Sequence, residues 1–101
     1  MNRVLNWSEL AEQDIEETLD YLENKWGVSV ACDFLDRLSA SLLAVQSNPA
    51  TYLEIDKKRH IHKFFLNKHI TLYYQLTEHT IELITFWSNR KDDFELRHLL
   101  T

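Results

Sequence analysis

The stretch HIHKFFLNKHITLYYQLTEHTIELITFW, residues 60–87, decides the fold. Three β-prone runs, HIHKFFL (60–66), ITLYYQL (70–76) and TIELITFW (80–87), are separated by NKH and TEH, lengths suited to hairpin turns. In the middle run Ile70, Leu72, Tyr74 and Leu76 share one face, and Thr71, Tyr73, Gln75 and Thr77 share the other. The last run is apolar on both faces, Ile81 and Leu83 with Trp87 on one and Ile84 with Phe86 on the other. That pattern belongs to a strand covered along most of its length.

Upstream the period changes. RVLNW (3–7) reads as a short strand, and Ser8 as the N-cap of a helix with Glu9 near its positive end. Ala11, Ile15, Leu19, Leu22 and Trp26 recur at helical spacing and form its apolar face, opposite a solvated acidic one. Gly27, the only glycine, suits the residue that ends this helix. A second helix starts near Ser29 and carries Ala31, Leu35, Leu38, Leu42 and Val45, flanked by Phe34. It stops at Ser47-Asn48-Pro49, because the residue before a proline is pushed out of helical geometry. So short a connection makes the pair an antiparallel hairpin. ATYLEIDKK (50–58) reads as a loop holding at most a short irregular strand, and DDFELRHLLT (92–101) as a short final helix through Phe94, Leu96, Leu99 and Leu100. The predicted order is β-α-α-β-β-β, an α+β fold with the hairpin packed on a small antiparallel sheet. At 101 residues the chain is expected to form a single domain, 1–101.

The opening residues lack the apolar core of a signal peptide and no apolar run is long enough to span a bilayer, so a cytoplasmic protein is expected. Cys32 is the only cysteine, which excludes an internal disulfide and a thiolate zinc site. It is expected to be a small buried residue on the second helix. The net charge of −5 argues against an outright nucleic-acid binder, but it hides an asymmetry. Residues 1–48 hold three cations against nine acids, whereas residues 57–69 hold five cations, three histidines and no acid. This basic stripe is suited to a polyanion or an acidic partner.

With a single glycine there is neither a phosphate-cradling loop nor a nucleophile elbow, and no cofactor is expected. His60 and His62 would share one strand face with His69 across the hairpin, yet no carboxylate lies in that stretch and no metal site is expected. What remains is a cation set: Arg59 and Lys63 flanking the histidines, Lys68 at the first hairpin, and Arg90 after the last strand. With the three strands adjacent, Arg90 is expected near the start of the run holding Arg59. Arginine forks match phosphate oxygens, Tyr73 and Tyr74 offer hydroxyls, and His60 or His62 offers an acid or base. The structural alternative is that edge cations discourage strand pairing while Tyr74 and Trp87 fill the core.

The stretch Trp7, Ser8, Ala11, Asp14 and Ile15, followed by Tyr21, Gly27, Ala31, Phe34, Leu38, Leu42 and Asn48-Pro49, resembles the first half of the RelE/ParE toxin superfamily. RHIHKFFLNKHITLYY (59–74) with TIELITFWSNR (80–90) is similar to its plasmid-stabilisation, ParE-like branch. The resemblance covers residues 1–93. It implies the toxin of a type II toxin-antitoxin pair, in a hetero-oligomer with a cognate antitoxin whose C-terminal segment wraps over it. RelE-like members cut messenger RNA on the ribosome, whereas ParE-like members poison DNA gyrase. Arg59, Lys63 and Arg90 match the family's basic positions and are carried over as the candidate catalytic or target-contacting set. Lys68, Tyr73, His60 and His62 are candidates for target or antitoxin binding. His62 stands where many relatives carry a basic residue, and the loop after Pro49 lacks the glycine often found there. The sparse acid–base inventory and the negative net charge favour the gyrase reading. The alternatives are a metal-independent endoribonuclease and a degenerate member that only binds its antitoxin.

Overall fold

The computed structural model describes residues 3–91 and 93–100. The order is β1 (Val4–Trp7), α1 (Glu9–Trp26), α2 (Val28–Ser47), a 3-10 turn (Pro49–Thr51), β2 (Glu54–Asp56), β3 (Ile61–Phe65), β4 (Ile70–Leu76), β5 (Thr80–Ser88) and α3 (Asp93–Leu100). The α+β architecture and the helix hairpin are as the sequence predicts. The antiparallel meander β3-β4-β5 is extended at both edges, by β2 antiparallel to β3 and by β1 parallel to β5, giving the order β1-β5-β4-β3-β2.

Local chemistry starts and stops the helices. The Ser8 hydroxyl accepts from Ala11 N–H at 2.9 Å, capping α1. At the far end Gly27 alone joins α1 to α2, with φ 100° and ψ 170°. Its N–H donates to the carbonyls of Leu22 and Glu23 while its own carbonyl accepts from Ala31. A single residue therefore satisfies two helix ends, in a backbone region that side chains strongly disfavour.

The main core lies between the hairpin and one face of the sheet. Ala11, Ile15, Phe34, Leu38 and Val45 meet Leu66, Ile70, Leu72, Tyr74, Ile81, Leu83 and Phe86 there. Burying each large side chain contributes roughly 1.5–3 kcal/mol. A smaller cluster on the opposite face joins Tyr73 and Trp87 to Leu96 of α3.

Four expectations of the sequence reading are corrected. Trp26 is 62% exposed rather than buried, at the last residue of α1 beside an open cavity. Leu35 is 41% exposed, since the buried stripe of α2 runs through Phe34 instead. Cys32, expected in the core, is exposed beside Ala31. In β5 the strict alternation fails: the register with β4 passes from Leu83 to Thr85 and skips Ile84. This bulge turns Phe86 into the main core and Trp87 to the second face.

Candidate functional site

The bulged strand β5 also explains the W-S-x-x-A-x-x-D motif. Where β1 stops, its pairing is continued by Ser8, whose N–H donates to Leu83 O at 3.1 Å and whose hydroxyl donates to Ile84 O at 2.7 Å. Asp14 completes the edge. Its buried Oδ2 accepts from Thr85 Oγ1 at 2.5 Å and from Phe86 N at 3.0 Å. Ala11, fully buried, lets α1 approach the strand. These residues build the scaffold that aims the end of β5.

Arg90 lies in the turn that follows β5, next to the turn between β3 and β4. Asn89 ties the two turns together: its N–H donates to His69 O at 2.8 Å, its Nδ2 to Lys68 O at 3.0 Å, and its Oδ1 accepts from Thr71 Oγ1 at 3.0 Å. Arg90 and Lys91, both exposed, therefore leave a braced loop. They line one side of a cavity of about 470 Å³ whose other side is the C-terminal half of α1, including Tyr21, Lys25 and Trp26. His69 and Asn67 border it from the neighbouring turn, and Phe34 and Phe86 are buried residues in its lining. Lys25 Nζ donates to Tyr21 Oη at 3.0 Å and sits 5.3 Å from the Tyr21 ring and 5.6 Å from the Trp26 ring. The Lys25 hydrogen bond, aided by the charges of Lys25 and Arg90 and opposed by slight desolvation, holds the Tyr21 hydroxyl below its ordinary pKa.

Arg59 is not near Arg90. In a meander the first and third strands run parallel, so the start of β3 and the end of β5 lie at opposite ends of the sheet. Arg59 follows the turn after β2, and its Nη1 donates to the carbonyl of Leu100 at the end of α3. Lys63 is in mid-strand opposite Tyr73, with its ammonium 5.2 Å from the Phe65 ring. Lys68, exposed, belongs to the turn beside Arg90. The cations of 57–69 are thus spread along the whole length of β3 and do not converge.

Two of the histidines meet and the third stands apart. His60 precedes β3 in a left-handed conformation, φ 57°, and reaches the same Glu54 oxygen as His62, whereas His69 lies at the far end of that hairpin. His62 is buried and stacked on Tyr74, with ring centroids 5.3 Å apart and planes 10° from parallel. Its Nδ1 donates to Tyr52 O at 2.8 Å, which fixes the proton on that nitrogen because a carbonyl only accepts. Tyr74 donates to Pro49 O at 2.5 Å, and burial, with Tyr52 nearby, pushes its hydroxyl well above its usual pKa. His62 and Tyr74 together hold the loop after α2 against the sheet. Glu54, which the sequence reading left in an unassigned loop, stands 3.1 Å from His60 Nδ1 and 3.5 Å from His62 Nε2. Tyr73 is buried on the second face. Among the described residues, no cluster of three or more His, Cys, Asp or Glu side chains is arranged to hold a metal ion. Nor is any described helix long and apolar enough to cross a membrane.

Residues 5–93 match the family described as the ParE toxin of the type II toxin-antitoxin system, parDE. The chain belongs to this family. It is a type II toxin-antitoxin toxin, as the resemblance in its sequence implies. No curated protein matches its sequence significantly. Among solved structures, the toxin is similar to a chain of the chromosomal ParDE TA system from P. aeruginosa. That likeness has a TM-score of 0.72 at 11% identity, covering 85% of the toxin and 95% of the other chain, and it shows the shared fold.

Sequence reasoning found Arg90 but missed the partners the fold gives it. Tyr21, Lys25 and Trp26 were read as part of an amphipathic helix. The available signal was a tryptophan and a lysine side by side at the end of an otherwise acidic helix, directly before the chain reversal.

Proposed function

We propose that this toxin acts by binding DNA gyrase, that Arg90 carries a contact with that target, and that a cognate antitoxin neutralises it. The observation that carries this reading is the dispersal of the acid–base candidates. General acid–base cleavage needs its groups within hydrogen-bond reach of one reacting centre. Here His62 gives its Nδ1 proton to Tyr52 and shares Glu54 with His60 at the end of the sheet away from Arg90, while Tyr74 is committed to Pro49 and Tyr73 to a buried cluster. Arg59 and Arg90 lie at opposite ends of the sheet. A protein-binding surface needs no such assembly and is served by the braced cations around the cavity. The antitoxin is a partner with acids facing Arg59, Lys63 and Lys68, the cations spread along β3.

Two measurements test the reading. The chain is induced alone in bacteria and the 5′ ends of cellular RNA are mapped within minutes, and the purified toxin is assayed against gyrase supercoiling. Growth arrest with inhibited supercoiling and no new RNA ends is expected, and Arg90→Ala relieves both while folding and antitoxin binding persist. New cuts in translated regions, in phase with codons, would overturn the gyrase reading in favour of a ribosome-dependent ribonuclease. Full toxicity of a folded Arg90→Ala variant would remove the role given to Arg90.

A further inference from the structure

We propose that the cavity between α1 and the β5 turn is a nucleotide site, in which Arg90 and Lys25 hold phosphate and the rings of Tyr21 and Trp26 stack a base. The site includes Arg90 and so deepens the reading above, yet it rests on different observations.

The first is shape. At about 470 Å³ the cavity falls within the range of roughly 300–1,000 Å³ common to small-molecule sites, and its lining combines buried apolar side chains with a few polar ones. The second is charge. In a molecule of net charge −5, Lys25 from α1 and Arg90 from the turn after β5 line one space, joined by His69, while the Lys91 ammonium lies 5.2 Å from the Trp87 ring of the second face. The acids lining it are Glu17, which is exposed, and Asp14, whose Oδ2 already accepts hydrogen bonds from Thr85 and Phe86. A lysine lying on surface rings would explain Lys25 alone. It does not explain an arginine held opposite by the hydrogen bonds of Asn89.

The third is the exposure of the rings. Tyr21 is 51% and Trp26 62% exposed, on the two sides of Lys25. An indole left in water where helical periodicity calls for burial forgoes stabilisation that a ligand would restore. Base stacking on an aromatic face is tolerant of sequence and is reinforced by neighbouring cations. Lys25 spends one donor on Tyr21 Oη and retains two for phosphate oxygens. Arg90 offers a planar fork for the same group. A carboxylate ligand would use the cations but not the two open rings, whereas a nucleoside phosphate uses both.

The experiment titrates the purified full-length toxin with AMP, adenosine, inorganic phosphate and a short single-stranded oligonucleotide, read by calorimetry and tryptophan fluorescence. AMP is expected to bind saturably and to weaken with salt, with adenosine and phosphate each weaker by roughly tenfold or more, the scale of one stacked base. Arg90→Ala and Trp26→Ala each lower AMP affinity by a similar factor, while Lys57→Ala, outside the cavity, leaves it unchanged. Both cavity residues are exposed, and circular dichroism establishes that the variants fold. No AMP binding, phosphate binding as well as AMP, or an unaffected Trp26→Ala variant would each overturn the proposal. Tighter binding of the oligonucleotide identifies a single strand as the source of the nucleotide, and equal or weaker binding identifies a free one. Loss of toxicity in Arg90→Ala without AMP binding sinks the nucleotide site alone. AMP binding with undiminished Arg90→Ala toxicity sinks only the role of Arg90 against the target.

Discussion

Asp14 performs for β5 what a neighbouring strand would otherwise do, and removing it exposes the cost. Asp14→Ala leaves the Phe86 N–H and the Thr85 hydroxyl buried without an acceptor, at about 1–3 kcal/mol each. A lowered urea midpoint with an unchanged m-value checks this, and Asp14→Asn, which keeps one acceptor oxygen, should lose less. Tyr74 makes a second prediction, because its hydroxyl is held protonated by burial, above the ordinary tyrosine value of 10.0. The folded state then binds the proton more tightly than the unfolded chain. Stability is full below that value and falls as pH rises beyond it. Tyr74→Phe should cost about 1 kcal/mol at neutral pH, for the lost bond to Pro49, and should flatten the alkaline loss measured by thermal melts. Neither role was legible in the sequence. Asp14 stood in the motif that carries the family resemblance without a role attached, and no periodicity reveals that a strand ends early and leaves its neighbour's edge to a side chain.

At the scale of elements, the helices and the meander were legible because their apolar repeats match the two regular periods. What escaped was where each element outruns its cover. Trp26 lies in phase with Ile15 and Leu22 but at the open last turn of α1, and Phe86 and Trp87 exchange faces at a bulge that alternation alone does not reveal. Gly27 supports a prediction at this level. A Cβ there would meet no atom within 4 Å, so any cost of Gly27→Ala is backbone strain alone. With φ at 100° and ψ at 170° that strain should be about 1–3 kcal/mol. Chemical denaturation measures it, and a neutral result would mean that the hairpin reverses equally well in another conformation.

Over the whole molecule, the same basic residues that look contiguous in sequence are distributed across the full length of the sheet. Arg90 was legible as a cation ending a buried strand. Its distance from Arg59 was not, because adjacency in sequence order says little about which strand ends coincide. Arg59→Ala and Lys68→Ala, at the two ends of β3, should therefore act independently on antitoxin affinity, with free-energy effects that add within about 0.5 kcal/mol. A double-mutant cycle by calorimetry checks this, and strong coupling would mean that the two ends communicate through the bound partner. The topology also bears on when a toxin becomes one. Within the sheet β1 docks only on β5, with Ser8 bonding Ile84 across 76 positions of sequence. During translation α1 and α2 emerge early, but the sheet cannot close until the last strand has left the ribosome. The turn bearing Arg90 follows that strand directly, so the surface it presents exists only once the sheet has closed.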